Sequence, residues 1–503
     1  FNALDTQSRG YIYKSDLLES LNRMGIRSSD PRLKATWEQL EQFLESYKID
    51  FKQFSDLIRQ NTILIENVLT GKLIIPDFEG FCAEIKSIYD STKGNHSGGV
   101  ATYIPQLARV NPDQYGLAIC TIDGQQYSQG ESRTLYCLQS TCKPINYCLA
   151  LEEHKEAKVH QHIGREPSGR GFNELTLNSD SLPHNPLINA GAIMACALIK
   201  PDLNIADRFE YVMEMWTALS GGERPGFNNA VYLSEKQTAD RNFALGHFMR
   251  EKKAFPEGTD LYEVLEFYFQ CCSIEITAES MSVVAATLAN AGICPLTGIR
   301  IFDPNTVKNC LSLMYSCGMY DFSGEFAFSV GLPAKSGVSG ALMVVVPNVM
   351  GICTWSPRLD HLGNSVRGIA FCKELVKKFN FHNYDSLVRS IDKQDPRLKK
   401  NESKLTSVMS LVGAASQGDL NEIKRLVAEG VNLNSADYDG RTALHLAAAE
   451  GQLQVVKYFI ARNAYLNPVD RWGGTPLSDA YAGKHQEVAE LLESHGARRT
   501  VNS

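Results

Sequence analysis

A serine and a lysine three residues apart, Ser140 and Lys143, are the pair in this sequence best suited to nucleophilic chemistry. Residues three apart on a helix share a face, so the lysine amine can reach the serine hydroxyl. Pro144 follows at once, and proline is tolerated only near the first turn of a helix, so we expect Ser140 at a helix start. Free backbone N–H groups there favour developing negative charge. A desolvated, neutral lysine can be the base that a serine nucleophile needs.

Two further motifs follow in order, Tyr320 and then Lys335-Ser336-Gly337. The second resembles the K-T/S-G box on the edge strand of serine β-lactamases and penicillin-binding proteins, which combine it with SxxK. Tyr320 lies between the two motifs, where those enzymes carry a Ser or Tyr for proton relay. An SxxK alone arises often by chance, but the three motifs together predict acyl transfer through a serine ester.

The elements that must position these residues lie in a middle region, residues 95–390. This region mixes β-like runs such as ALMVVVPNVMGICTWS with helical runs such as LYEVLEFYFQ and MSVVAATLANAG. Strands at both ends with helices between them predict an α+β domain, in which one sheet carries a cluster of helices.

The first 94 residues alternate charged and apolar positions at helical spacing, which predicts an all-α domain. Their opening resembles an EF-hand loop in which Asp5 is the first ligand, Gly10 the sixth residue and Asp16 the last ligand. Calcium needs oxygen ligands at positions three and five, but Arg9 stands at position five. We therefore expect a helix pair without calcium.

The C-terminal residues 406–503 contain a repeat, preceded by a charged linker at residues 391–405. Small residues recur at an interval of 33 positions: Gly418 and Gly451, Gly440 and Gly473, Thr442 and Thr475. Period and TPLH-like turns resemble the all-α ankyrin repeat.

Composition excludes several classes of protein. A net charge of −7 over 503 residues gives no reason to expect a nucleic-acid partner. The 13 cysteines form no paired CxxC motifs, so neither a metal site nor a disulfide framework is predicted. Two long uncharged stretches, 280–299 and 336–357, each contain proline and fit a buried helix and a hairpin better than a membrane span. The chain begins with Phe1, which predicts a truncated or processed start.

Longer strings in the middle region are similar to the animal phosphate-activated glutaminases of the kidney/liver type: EPSGRGFNELTLNSDSLPHNPLINAGAI, DRNFALGHF, FPEGTDLYEVLEFYFQCCSIEIT and LMYSCGMYDFSGEFAFSVGLPAKSGV. With the helical N-terminal part and the ankyrin segment, the resemblance covers essentially the whole chain. It implies a β-lactamase-like catalytic domain that hydrolyses L-glutamine to L-glutamate and ammonia without a cofactor.

The resemblance also implies roles for single residues. Ser140 matches the nucleophile, Lys143 the base and Tyr320 the tyrosine that passes protons; Tyr103 matches a second tyrosine at the substrate, and Val338 supplies a backbone N–H to the oxyanion hole. Five more positions match the pocket for glutamine: Gln139, Asn189, Glu235, Asn242 and Tyr268. A carboxylate such as Glu235 can pair with the substrate ammonium, and amide donors suit its carboxylate.

The segment 164–186 resembles the family's gating loop at the tetramer interface, which responds to phosphate. Its residues at the matched positions are Phe172, Leu175, Thr176 and Leu177. The resemblance therefore implies inorganic phosphate as an activator, a homo-oligomer with a tetramer as the expected form, filaments as a further assembly, and a mitochondrial location.

Two other functions fit parts of the sequence. A β-lactamase-like acylase acting on peptides would share the three motifs, and hydrolysis of a chromogenic β-lactam would reveal it. An ankyrin scaffold with an inactive middle domain would neither release ammonia nor be labelled at Ser140 by a glutamine-mimicking electrophile.

Overall fold

The computed structural model describes residues 1–500 apart from residues 6, 170, 172–173, 389–392, 399 and 429–430. The chain divides into two units, Phe1–Tyr384 and Asp385–Ser503. No helix among the described residues is both long enough and apolar enough to cross a membrane. All 13 cysteines are free thiols.

The N-terminal part of the first unit is helical, as its periodicity predicted. Its elements are β1 (Tyr11–Ile12), α1 (Lys14–Arg23), α2 (Lys34–Leu40), β2 (Ile49–Asp50), α3 (Phe51–Leu57), α4 (Thr62–Thr70) and α5 (Phe78–Lys93). Strands β1 and β2 pair antiparallel, with Ile12 opposite Ile49, so the loops before α1 and α3 are joined. Asp50 caps α3 by accepting a hydrogen bond from the Gln53 N–H at 2.8 Å, which satisfies one of the free donors of the first turn.

The rest of the first unit alternates short strands with helices. Its elements are α6 (Pro105–Ala108), β3 (Gly116–Thr121), β4 (Gln126–Gly130), β5 (Tyr136–Cys137), α7 (Lys143–Val159), α8 (Asn189–Ala197), α9 (Ile205–Leu219), β6 (Gly226–Phe227), α10 (Asn229–Gln237), α11 (Asp240–Glu251), α12 (Leu261–Cys272), β7 (Ile274–Ile276), α13 (Ala278–Ala289), α14 (Pro304–Cys317), α15 (Ser323–Ser329), β8 (Ala334–Ser336), β9 (Ala341–Val346), β10 (Met350–Trp355) and α16 (Val366–Lys378). A five-stranded antiparallel sheet has the order β4-β3-β10-β9-β8, and a smaller sheet has the order β5-β7-β6.

Strands β3, β9 and β10 are buried on both faces, which explains why β9 is apolar throughout and β10 is apolar except at Thr354. Met343 and Val345 face the helical cluster, whose α13 packs across β3, β9 and β10. The alternate residues Leu342 and Val344 share a second core with the N-terminal helices and α16. The two uncharged stretches thus form a buried helix and a hairpin, and the predicted α+β architecture is confirmed.

The second unit contains α17 (Asp385–Val388), α18 (Lys400–Gln417), α19 (Leu420–Ala428), α20 (Ala443–Ala449), α21 (Leu453–Ala461), α22 (Pro476–Ala482) and α23 (Gln486–Ser494). The repeated threonines stand at the start of the first helix of each pair. The backbone N–H of Thr442 donates to His445 Nδ1 at 3.1 Å, and the backbone N–H of Thr475 donates to Ser478 Oγ at 2.8 Å. Each cap fixes the turn before its helix. The expected linker lies partly outside the described residues, and the domain boundaries stay predictions.

Candidate active site

Ser140 lies on a short 3-10 helix, Gln139–Cys142, that continues directly into α7. Pro144 occupies the first turn of α7, where its missing N–H removes no helical bond. Ser140 is buried, and Lys143 one turn later is fully buried. The two residues of the SxxK motif are therefore both buried at a helix start, one helical turn apart.

The Lys143 amine is held in a site that does not favour its charge. It donates a hydrogen bond to Asn189 Oδ1 at 2.6 Å. Burial lowers the pKa of Lys143 to about 8, because the ammonium form loses its hydration. An amide oxygen orients the amine without supplying a negative charge.

Three helices converge on that amide. Asn189 begins α8 and donates through Nδ2 to Asn242 Oδ1 of α11 at 3.0 Å. The Tyr268 hydroxyl of α12 donates to Asn189 Oδ1 at 3.5 Å. Residues far apart in sequence are thus connected to Lys143 through one side chain.

A second polar group surrounds the carboxylate of Glu235. The Tyr103 hydroxyl donates to Glu235 Oε1 at 2.6 Å, and Gln139 Nε2 donates to the same oxygen at 2.9 Å. Burial raises the pKa of Glu235, and these two bonds oppose that rise. Although the Tyr103 residue is 47% exposed, its hydroxyl points inward at these partners.

Tyr320 closes the site on the other side of Ser140. Its hydroxyl interacts with the Ser140 side chain, and burial raises the pKa of the phenol. The Lys335 amine lies 4.5 Å from the centre of the Tyr320 ring and donates to the carbonyls of Gly318 at 3.2 Å and Ser336 at 2.7 Å. Burial and the nearby charge of Lys143 lower the pKa of Lys335. The sequence motif contained Lys335, but the contact of Lys335 with Tyr320 could be seen only in the structure.

Two residues near Ser140 have a strained backbone. Gln139 has φ 49° and Tyr320 has φ 54°, in the left-handed region that side chains other than glycine rarely adopt. Residues are held there only when the surrounding packing determines their position, and such positions cluster at functional sites. Sequence alone carried no signal for either conformation.

The end of β8 lies close to the 3-10 helix that carries Ser140. A Cβ atom on Gly337 would lie 3.0 Å from Thr141 Cγ2 and 3.1 Å from the Leu138 carbonyl. Val338 follows, and in the part of the chain that the structure describes, no backbone carbonyl accepts a hydrogen bond from its N–H or from that of Ser140. Both N–H groups are therefore without a backbone acceptor among the described residues.

The segment before α8 borders a cavity of about 490 Å³. Its walls are Pro167, Ser168, Gly169, Asn185, Leu187, Ile188, Ser316, Cys317, Tyr320, Asp321, Ser323 and Gly324. Of the predicted gating residues, Phe172 lies outside the described residues, Leu175 is exposed, and Thr176 and Leu177 are half-buried. None of the last three lines this cavity.

The chain resembles known proteins along most of its length. A profile of the family described as Glutaminase matches residues 98–384, one described as Ankyrin repeats (3 copies) matches 411–503, and one described as EF-hand domain matches 1–76.

Individual relatives agree with these profiles. The mitochondrial liver isoform of glutaminase from Rattus norvegicus is 46% identical over 451 residues, which cover 89% of this chain and 75% of the relative. A glutaminase from Nostoc is 41% identical over 304 residues, 60% of this chain and 90% of that protein. A solved structure described as a probable glutaminase, ybaS, superposes with a TM-score of 0.57 at 34% identity, covering 60% of this chain and 97% of its own.

Proposed function

The chain belongs to the glutaminase family and hydrolyses L-glutamine to L-glutamate and ammonia, as the sequence predicted, and from that premise we propose that the reaction proceeds through an acyl ester of Ser140. The observation that carries the proposal is the Ser140 hydroxyl, which interacts with the Tyr320 side chain and stands one helical turn from a buried amine. A serine with a base and a proton relay within reach has what covalent catalysis requires.

Lys143 is the base in this proposal. Its lowered pKa of about 8 leaves about one tenth of the amine uncharged at pH 7, far more than a lysine with the ordinary pKa would have. The bond to Asn189 fixes one N–H and leaves the lone pair free to turn toward Ser140. Lys143 takes the hydroxyl proton while Ser140 Oγ forms a bond to the side-chain amide carbon of glutamine.

The tetrahedral intermediate carries its negative charge on the former carbonyl oxygen. The N–H groups of Ser140 and Val338 have no other backbone acceptor among the described residues and are suited to hold this oxyanion. Donors already in place need no reorganisation as charge develops, and one such donor contributes about 2.7–4 kcal/mol.

Tyr320 passes the proton from Lys143 to the departing nitrogen. Its raised pKa keeps the phenol protonated, so it can give a proton to nitrogen as the C–N bond breaks and recover one from the Lys143 ammonium. Ammonia leaves, and water attacks the ester carbon after giving a proton to Lys143. The C–Oγ bond then breaks, Ser140 regains its proton, and glutamate is released.

The remaining polar residues bind the two charges of the substrate. Glu235 pairs with the ammonium, supported by Tyr103 and Gln139, which already direct hydrogen bonds at its carboxylate. Asn189 and Asn242 donate to the substrate carboxylate, and Tyr268 lies beside them. A substrate that lacks either charge leaves one of these groups without a partner, which gives specificity.

The first test replaces the nucleophile. Ser140→Ala should lower kcat by at least ~10³-fold, because no group remains to form the ester. Glutamine binding, measured by calorimetry, should persist. Ser282→Ala on α13 is a matched control, since Ser282 is buried and donates only to the Glu279 carbonyl. Substantial ammonia release by Ser140→Ala would refute the acyl-enzyme scheme.

We also propose that phosphate activates the enzyme and that the active form is a homotetramer able to form filaments. The resemblance of segment 164–186 to the gating loop supports this, and so does the cavity that joins residues 167–169 to Tyr320. Activity and light scattering, measured together with and without phosphate, test it. Activation without any change in mass would separate the phosphate effect from assembly.

A mitochondrial location is proposed from the relatives, since the rat and mouse proteins at 46% identity are both named mitochondrial. Fractionation of cells that express the whole protein would check it, and recovery of the enzyme outside mitochondria would contradict it.

A further inference from the structure

The loop before α1 has the geometry of a calcium-binding loop of the EF-hand type. Asp5 stands at its first position, Gly10 at the sixth with φ 81°, and Asp16 at the twelfth. The Asp5 carboxylate accepts hydrogen bonds from the N–H groups of Arg9 at 2.9 Å and Gly10 at 2.7 Å. These bonds wrap the backbone around the carboxylate of the first position.

The guanidinium of Arg9 lies between the two carboxylates of the loop. Its Nε is 3.5 Å from Asp5 Oδ1, and its Nη2 is 3.5 Å from Asp16 Oδ2. The rings of Tyr11 and Tyr13 face the same guanidinium, at 5.2 and 5.6 Å from ring centre to Cζ. One side chain thus contacts the first and last positions of the loop at once.

The donor set does not fit calcium. Position three offers Gln7, position five is Arg9 itself, and the last position has Asp16 where a bidentate glutamate is usual. Among the described residues, no group of three or more His, Cys, Asp or Glu side chains is arranged to hold a metal ion.

The loop before α3, which pairs with this one through β1 and β2, does not have the ligands for calcium either. The pairing of Ile12 with Ile49 sets its register, which puts Leu44 at position three and Gln53 at position twelve. Neither loop of the pair has the oxygen ligands that calcium requires.

We propose that Arg9 is the resident cation of this loop, occupying by a covalently attached guanidinium the place that Ca²⁺ takes in calcium-binding loops. The positive charge neutralises part of the charge on Asp5 and Asp16, and its fork of donors reaches both carboxylates, which a point charge such as lysine does less well. The order of the loop is then a property of the chain itself and does not respond to free calcium.

Hydrogen bonds join the end of α1, the helix that follows the loop, to the five-stranded sheet. Helix α1 runs from the loop to Met24 and Gly25, whose carbonyls accept hydrogen bonds from Gln125 Nε2 at 3.2 Å and the Gln126 N–H at 2.8 Å. A loop held by Arg9 therefore keeps the end of α1 against the strand β4 at any calcium concentration.

The test uses the full chain and hydrogen exchange of the loop amides. Arg9→Ala should raise exchange over residues 9–16 on the order of tenfold, since a poorly exposed carboxylate loses its partner. Arg9→Gln, which keeps length without charge, should raise it as well, and Arg9→Lys should lie between. Arg23→Ala is the control, because Arg23 is exposed and lies at the far end of α1, the helix that follows the loop. Unchanged exchange in both Arg9→Ala and Arg9→Gln would overturn the proposal.

A gain of function gives the second test. A triple variant, Gln7→Asp with Arg9→Asn and Asp16→Glu, should bind Tb³⁺ with luminescence sensitised by Tyr11, and Ca²⁺ should displace the terbium and restore slow exchange. The unaltered chain should bind neither ion up to about 1 mM, the weak end of EF-hand affinities. Binding by the unaltered chain, or failure of the triple variant to bind, would show that Arg9 is not a substitute for calcium.

Discussion

The protonation state of Lys143 should govern the pH dependence of the reaction. Only the uncharged amine accepts a proton, and the pKa of Lys143 is lowered to about 8. Below that pH the base is increasingly protonated, so kcat/KM should fall with unit slope as pH decreases and should level off above about 8. A coupled glutamate assay across pH measures this.

Lys143→Arg supplies the matching control. A guanidinium stays protonated at every accessible pH, so this variant should lose activity across the profile. An acid limb well below pH 7 in the unaltered enzyme, together with activity in Lys143→Arg, would remove Lys143 from the role of base.

Lys335 should matter to turnover more than to substrate binding. Lys335→Met removes the amine beneath the Tyr320 ring and its hydrogen bonds to the carbonyls of Gly318 and Ser336, so Tyr320 loses its position. We expect kcat to fall about 10²-fold with little change in KM, the pattern of a misplaced relay. Lys377→Met, at a side chain 77% exposed, is the control. A change confined to KM would instead place Lys335 in substrate binding.

The sequence predicted which residue types the candidate site contains better than it predicted the contacts between them. The SxxK spacing predicted Ser140 and Lys143 at a helix start because helical geometry fixes neighbours three apart. The contact between Lys143 and Asn189 joins residues 46 positions apart and depends on the packing of α7 against α8. No local pattern encodes such a distance.

At the scale of elements, the approach of β8 to the 3-10 helix leaves little room for a methyl group at residue 337. Gly337→Ala should push the strand away from Thr141 and Leu138 and displace the Val338 N–H. Since a misplacement of about 1 Å can cost 10²-fold in rate, kcat should fall by one to two orders of magnitude while the melting temperature changes little. Gly324→Ala is a control in open space.

The ion pair between the N-terminal helices and α13 should make stability depend on acid. Arg27 Nη1 lies 2.5 Å from Glu279 Oε2. Burial by itself would raise the pKa of Glu279, but the bond to Arg27 and its charge, with the Ser132 and Ser128 hydroxyls, lower it to about 2. A depressed carboxyl pKa gives stability that is complete above about 4.5 and is lost as pH falls toward 2.

Glu279→Gln should therefore lower the free energy of unfolding by about 1–3 kcal/mol at pH 7 and flatten its decline between pH 5 and 2. Denaturant titrations at several pH values measure both. The exposed pair Arg59 and Asp56 gives a control in Asp56→Asn, which should change neither quantity. An acid dependence as steep as that of the unaltered chain would exclude Glu279 as its source.

The sequence predicted the long helices and strands but not the short strands. The uncharged runs predicted α13 and the β9–β10 hairpin because burial on both sides demands apolar residues. Strands β5, β6 and β7 have two or three residues each, too few to show an alternation of apolar and polar residues. They pair because the packing of the surrounding helices places their backbones side by side.

At the scale of the whole molecule, the division after Tyr384 predicts an autonomous first unit. A chain ending at residue 384 should fold and keep a basal glutaminase activity within about threefold of the full chain, since all proposed catalytic residues precede that point. The Nostoc relative, matched over 60% of this chain and 90% of its own, shows that a glutaminase can consist of little more than this region. Loss of activity in a folded truncation would assign the ankyrin unit a part in catalysis.

The left-handed backbone at Gln139 and Tyr320 sets a limit on how this enzyme can be improved. Glycine at either position would relieve conformational energy, but it would also remove a side chain that the proposed mechanism uses, the amide of Gln139 or the phenol of Tyr320. Selection for thermal stability should consequently accumulate substitutions at positions other than these two. Variants that gain thermal stability through a change at Gln139 or Tyr320 should have a lower kcat.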